Sequence, residues 1–133
     1  ISGVLGAVIL KERIQFTYQG RLPQELGVED LDLCFLLSNI LENAKEAVEK
    51  IPLDIGERKI HLTIGTYKKL IFFDCVNTIL PDGESFTETA KNPDWHGFGL
   101  HNIHKIVQKY DGEFELSFDR QTATAHAVLH KNL

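Results

Sequence analysis

The 133-residue chain has no methionine, one tryptophan and two cysteines. Cys34 falls in an apolar helical run and Cys75 in an expected strand, with no metal-like spacing. Both are therefore expected to be small buried apolar residues in a reducing compartment. Position 1 is isoleucine, as expected of a fragment excised from a longer protein. Basic residues are also short: 14 Lys and Arg stand against 19 Asp and Glu, a formal charge of -5, and they form no long stripe. That balance excludes nucleic acid as an expected partner, while a local positive pocket for a small anion stays open. No signal peptide and no apolar run of membrane length is present, so no direct membrane contact is expected of these residues. Internal repeats, low-complexity tracts and a clear domain boundary are missing too.

A chain of this length suits one domain over residues 1–133, burying about two-thirds of its unfolded surface, most naturally in two layers. Ser2 to Lys11 (SGVLGAVILK) is read as a short apolar helix, weakened by Gly3 and Gly6; Ile14 to Gly20 reads as a strand. The strongest helix runs from Asp30 or Asp32 to Lys50, with Leu33, Leu36, Leu37, Ile40, Leu41, Ala44 and Val48 recurring at three and four and Pro52 closing it. Arg58–Thr66 and Leu70–Val76 make a hairpin around TYKK. Asn77 to His96 has no period and two prolines, which argues either against the element assignment there or for a functional lid. Ile103, Ile106, Val107 and Tyr110 define a further helix ended by Asp111-Gly112, and two strands follow. Helices placed between hairpins predict an α+β sandwich with helices on one sheet face.

Two features carry chemistry. Ser38, Asn39, Glu42, Asn43 and Glu46 form a polar stripe on the best helix, and Asn39 and Asn43, four apart, lie one above the other. A neutral carboxamide oxygen can ligate Mg²⁺ already surrounded by phosphate oxygens, and Ala44 leaves room for a planar group near the helix backbone. The same spacing also describes a solvated helix face. The second feature is HGFGLHN, where Gly97 and Gly99 precede a helix starting near Gly99 or Leu100, whose free N–H groups and positive dipole end suit phosphate. His101, Asn102 and Lys105 supply further donors; a plain flexible turn is the alternative. The Walker pattern GxxxxGKS or GxxxxGKT occurs nowhere, and the third glycine of the dinucleotide fingerprint is a histidine.

Together, NILENAKEAV (Asn39 to Val48) and GFGLHNIHKIVQKYDGEF (Gly97 to Phe114) resemble the N box and second glycine box of the ATP-binding catalytic domain of sensor histidine kinases. This is the GHKL or Bergerat fold, shared with gyrase and MutL. The resemblance spans about Ile9 to Leu129 and is strongest to the peptide-pheromone quorum-sensing (AgrC-like) kinases. It implies a two-layer α/β sandwich with a mixed, mainly antiparallel sheet, and an ATP lid over residues 78–96, anchored by Phe86 and Trp95. By the same resemblance ATP and Mg²⁺ are the cofactors, Asn43 is the principal Mg²⁺ ligand, and Asn39 contacts phosphate, Mg²⁺ or an ordering water. Ala44, Gly97, Gly99 and Leu100 line the nucleotide site. Asn39 replaces the glutamate that activates water in the gyrase-like branches, which favours transfer over hydrolysis.

The family's DxGxG is replaced here by DCVNTIL, so the adenine contact is carried to Asn77, with Asp74 as the second candidate. The basic residue that often follows the N box is also missing, and Lys105, then Lys91, are the candidates for countering the triphosphate; Lys45 lies about 100 degrees round the helix. The implied reaction is phosphoryl transfer to a histidine on a separate dimerisation domain of the same parent protein, then to a response regulator. The setting is cytoplasmic, in a membrane-anchored bacterial sensor. None of the six histidines sits in an acceptor helix, and His96, His101 and His104 lack the partners of a zinc site. A Bergerat ATPase, an anti-sigma-type serine kinase and a degenerate nucleotide-binding regulatory module are the rival readings.

Overall fold

The computed structural model describes residues 5–9, 13–22, 27–80 and 98–131, with backbone alone for 5–9, 98 and 99. In chain order the elements are β1 (Leu5–Ile9), β2 (Gln15–Gln19), α1 (Asp30–Glu49), β3 (Lys59–Tyr67), β4 (Leu70–Thr78), α2 (Phe98–Lys109), β5 (Glu113–Phe118) and β6 (Thr122–His130). Among the described residues the six strands form one sheet in the order β1-β2-β3-β4-β6-β5. Only β2 and β3 are parallel, because α1 connects them and returns the chain to the same end of the sheet. All other neighbours are antiparallel. The expected α+β sandwich, with a mixed, mainly antiparallel sheet and helices on one face, is what forms. No helix among the described residues is long and apolar enough to cross a membrane.

Two local expectations are corrected. The segment read as a first helix is strand β1, paired with β2 from Leu5↔Gln19 to Ile9↔Gln15. Two glycines and three β-branched residues in Gly3–Ile9 make a poor helix, and the open edge of β2 offers its backbone a complete ladder. Cys34, expected to be buried, is exposed. It lies about 100 degrees or more round α1 from Leu36 and Ile40, past the half-buried margin formed by Leu37 and Leu41.

The core lies between the helices and the sheet. From α1 it takes Leu33, Leu36, Ile40, Ala44, Ala47 and Val48. Alternate residues of β4, from Ile71 through Phe73 and Cys75 to Asn77, face them and are buried, as is Ile79 just past the strand. Each large side chain removed from water here contributes roughly 1.5–3 kcal/mol. The opposite sheet face is more polar: Asp74 bonds His126 there, and Thr17 bonds His61 at 2.5 Å.

The two helices are closed in different ways. The last turn of α1 has no basic residue of its own, and Arg58 returns to donate to Glu49 O at 3.1 Å and Ile51 O at 3.0 Å. At the end of α2 the Gly112 N–H meets Val107 O and the Asp111 N–H meets Gln108 O, a Schellman closure. Asp111, at φ 52°, takes the left-handed position there. Gly112 serves a different need, since a Cβ on it would stand 1.8 Å from Val128 O.

One polar bracket ties the helices together. Tyr110 donates its hydroxyl proton to Asp32 Oδ2 at 2.5 Å and accepts the Glu29 N–H at 3.0 Å. Lys109 Nζ reaches the same carboxylate oxygen at 2.8 Å. The hydrogen bond from Lys109, then that from Tyr110, holds the Asp32 carboxyl below the usual range. Burial, then the bond to Asp32, pushes the Tyr110 phenol up.

We expect Tyr110→Phe to lower the unfolding free energy by about 1.5–3 kcal/mol, as for a hydrogen bond to a charged group. The pH dependence has a defined sign at each end. Asp32 contributes stability above its unfolded pKa, about 3.9, that is lost as pH falls through its lower folded value; Tyr110 contributes below about pH 10 and loses it as pH rises. Urea titrations across pH should show both losses in the native protein, and both diminished in Tyr110→Phe.

Candidate functional site

The bracket also sets how the helices run. Asp32 near the start of α1 meets Tyr110 just beyond α2, while Ile40 and Ile103 line one cavity. Eight residues forward on α1 thus correspond to seven backward on α2, so the helices are antiparallel. One further turn places Gly99 and the start of α2 opposite Asn43 and Ala44.

The polar stripe faces that same neighbour. Asp32, Asn39 and Asn43 are spaced seven and four apart, which aligns them along one side of α1. Because Asp32 on that stripe bonds Lys109 and Tyr110, the carboxamides flank α2 rather than the open solvent face, where Leu31 and Phe35 lie exposed. Asn39 is half-buried and donates Nδ2 to Phe35 O at 2.7 Å, one turn back on its own helix. Its Oδ1 meets no donor among the described residues and remains available as a ligand oxygen.

A cavity opens between α1, the middle of α2 at Ile103 and the end of β4. Asn43, Ala44, Ile40 and Ala47 come to it from α1, Cys75 and Asn77 from β4, and Ile103 from α2. Phe114 and Leu116 from β5 and Ala123 and Ala125 from β6 complete the described wall. Its volume is about 20 Å³, room for one water molecule. A larger guest enters only if the half-buried Phe114 and Leu116, or α2 itself, move outward.

Asn77 is the buried polar residue of this wall, 7% exposed. Its Nδ2 donates to Thr78 O at 2.9 Å, and no described donor meets its Oδ1. A buried carbonyl oxygen without a partner is costly, of order 1–3 kcal/mol, and either an ordered water or a ligand in the cavity would supply the missing bond.

The structure therefore brings Asn43, Ala44 and Asn77 into one cavity, with Asn39 a turn away on the same stripe. It sets Asp74, the second candidate for the base contact, on the opposite face of the sheet, bonded to His126. Gly99 and Leu100 lie in the first turn of α2, which begins at Phe98. Lys105 is exposed on α2 and does not line the cavity; Lys45 is half-buried on α1. Gly97, Lys91, Phe86 and Trp95 lie outside the described residues, as does the expected lid beyond Leu80. Thr78 still belongs to β4, and Ile79 is buried. Sequence reading missed the small-residue wall of Ala47, Cys75, Ala123 and Ala125. The alternating alanines of TATAHAV were the available signal, since alternate strand residues share a face.

Comparisons with known proteins bear on the family and the fold. The sequence model of the GHKL domain family matches residues 28–129, and the chain belongs to that family. Among curated proteins none matches. The fold is similar to the catalytic domain of histidine kinase ThkA, at 19% identity and TM-score 0.59 over 90% of this chain and 71% of that one. It is similar also to the histidine kinase domain of a blue-light-activated kinase from Erythrobacter litoralis, at 13% identity and TM-score 0.52, over 74% of this chain and 45% of that one. Full-length ShkA in complex with AMPPNP shares it at 19% identity and TM-score 0.54, over 74% of this chain and 21% of ShkA. The chain thus spans less than half of the last two.

Cys75 in the cavity wall has its thiol pushed up to about 12 by burial. At pH 8 its thiolate fraction is on the order of one in ten thousand, and the thiolate is the reactive form. A maleimide reaction followed by peptide mass spectrometry should label the exposed Cys34 and leave Cys75 unmodified until denaturant is added.

Proposed function

We propose that this chain is the ATP-binding catalytic domain of a two-component sensor histidine kinase, working in the cytoplasm as part of a membrane-anchored bacterial sensor. The observation that carries the reading is one cavity lined by Asn43, Ala44 and Asn77; the register of the antiparallel helix pair sets the α2 N-terminus toward Asn43. Peptide-pheromone quorum sensing is the finer assignment, supported by the run LCFLLSNILENAKEA (Leu33 to Ala47) and by Asn77 standing in place of DxGxG. ShkA binds AMPPNP on the same fold, which supports ATP as the ligand here.

In this reading Asn77 accepts the adenine amino group through its open Oδ1. The first turn of α2, at Gly99 and Leu100 and preceded by Gly97, receives phosphate oxygens through N–H groups that have no intrahelical partner. The chemistry of the donors fits Mg²⁺, a hard cation that takes oxygen ligands: Asn43 would hold it, with the open Oδ1 of Asn39 beside it. When bound, Mg²⁺ neutralises charge on the phosphate oxygens. Lys105 counters the triphosphate from α2. Residues 78–96 act as the lid, and residues 1–133 as a single ATP-binding domain.

The γ-phosphoryl passes to an imidazole nitrogen of the separate dimerisation domain, the bond from phosphorus to the ADP oxygen breaking as the P–N bond forms, and then to a response regulator. This chain binds and orients. Asn39 has no basic carboxylate with which to take a proton from water, so hydrolysis is not promoted.

Calorimetric titration of ATP with and without Mg²⁺ tests the assignment. Asn43→Ala is expected to abolish most of the magnesium-dependent gain in affinity, about tenfold or more, and to leave the magnesium-free affinity nearly unchanged. An equal magnesium effect in both proteins would remove Asn43 as ligand. In the parent protein the product should be an acid-labile, alkali-stable phosphohistidine; an acid-stable phosphoserine would replace the histidine-kinase reading with a serine-kinase one.

A further inference from the structure

We propose that Asp32, Lys109 and Tyr110 are positioning residues for the metal and phosphate half of the nucleotide site. By pinning the C-terminal end of α2 to α1, they make the cavity open through a swing of α2 about that end, which keeps its first turn in register with Asn43. The inference rests on the cavity being the nucleotide site and deepens that reading.

The cavity has to widen before a base can enter. At about 20 Å³ it has room for one water molecule, whereas an aromatic ring packs with atoms about 3.5–4 Å away on each of its faces. Rigid ladders form most of the wall: β4 is paired on both sides, and β5 is paired with β6 from Glu113 to Phe118. The side chains of β5 and the helix α2 are what can give way. They give way together, because the Phe114 ring stands edge-on to His104 of α2, 5.5 Å between centroids, and presses on α2 when it turns outward.

How α2 moves is set by where it is held. Among the described residues, every hydrogen bond and ion pair joining α2, or Tyr110 just after it, to another element falls at Lys109 or Tyr110. Lys109 Nζ reaches Asp32 Oδ2 at 2.8 Å and the Glu29 carboxylate at 3.6 Å. Tyr110 gives its hydroxyl proton to Asp32 and takes the Glu29 N–H, while its carbonyl accepts the His130 N–H at 3.0 Å. Both α1 and β6 thus grip the same end. Farther along, α2 is held by the buried side chains of Ile103, Ile106 and Val107. Apolar contact has no preferred direction and hydrogen bonds do, so α2 turns about Tyr110 more readily than it slides.

The difference matters for the phosphates. At about 1.5 Å per residue, Ile103 lies about 10 Å from Tyr110 and Leu100 about 15 Å. A swing that widens the cavity at Ile103 therefore carries the first turn of α2 half as far again sideways, without shifting it along α1. Sliding by a single residue would displace that turn by about 1.5 Å along Asn43, and Mg²⁺ tolerates little error in the placement of its ligands. The bonds from Lys109 and then Tyr110 hold the Asp32 carboxyl below its usual range, so the tie is charged wherever binding is measured near neutral pH.

The test is calorimetric titration of this chain with adenosine, and with ATP in the presence and absence of Mg²⁺. Two quantities are read: adenosine affinity, and the factor by which Mg²⁺ raises ATP affinity. Asp32→Ala should cut the magnesium factor about fivefold or more and leave adenosine within about twofold of wild type, the low end of coupling between linked sites. Asp32→Asn keeps an acceptor for Tyr110 and should restore most of the factor. Thr17→Val, which removes a hydrogen bond on the opposite sheet face, should change neither quantity. Equal losses for adenosine and for magnesium ATP in Asp32→Ala would overturn the proposal while leaving the nucleotide site intact, and so would an undiminished magnesium factor. The swing is read by electron spin distances in a Cys34→Ser chain labelled at Glu42→Cys with His101→Cys, or at Phe35→Cys with Gln108→Cys. ATP should part the first pair about four times as far as the second, since the two α2 positions lie about 13 and 3 Å from Tyr110. Equal shifts, or none, would overturn the swing. Failure of wild type to bind either ligand would sink the nucleotide-site reading as well. Should Asp32→Ala not fold, Tyr110→Phe decides in its place, with the same split expected.

Discussion

The arrangement of this domain depends on the contact between α1 and α2, and that contact depends on where it is pinned. Asp32, Lys109 and Tyr110 join the first turn of one helix to the last turn of the other. Pinning the helices at that end leaves their register, and therefore what stands beside Asn43, to the fixed rise of the two helices. The start of α2 arrives opposite Asn43 because it lies as far from Tyr110 as Asn43 lies from Asp32. Apolar packing of Leu36, Ile40, Ile103 and Val107 supplies the attraction, and the charged bracket supplies the register.

A second constraint is electrostatic. The chain has a net charge of -5, and its best helix begins with Asp30 and Asp32. A triphosphate held in such a protein needs neutral or positive groups close to it. The proposed ligands meet that need without added charge: carboxamides at 39, 43 and 77, and the amide groups at the start of α2. Asn39 and Asn77 behave alike, each giving its NH₂ to a backbone carbonyl and keeping its oxygen for something else. Backbone carbonyls thus set the orientation of both proposed ligand carboxamides.

Much of the fold was legible because the relevant signals are local and periodic. The spacing of Leu33 through Val48 defines α1, TYKK marks the turn between β3 and β4, and Asp111-Gly112 marks the end of α2. The reading failed where a neighbour decides. Leu5–Ile9 becomes a strand because β2 offers an open ladder, a fact that lies outside the segment. Cys34 is apolar by type and exposed by angle, since the core covers only one side of α1. Asp74 and Asn77 were both open as base contacts, and strand alternation assigns them to opposite faces only once it is known which face the helices cover.

The sequence by itself determined the elements and the residue types at the candidate site, because helical and strand periods, caps and the two motifs are written in neighbouring positions. Tertiary structure decided which groups meet: Asn77 with Asn43 and Ala44 in one cavity, Asp32 with Tyr110 across 78 positions of chain, Arg58 with the end of α1. It decided too which hydrogen bonds are already made, and so which oxygens are left open. The reason is that a side chain's free valence is a property of its surroundings, and those surroundings are assembled from segments far apart in the chain.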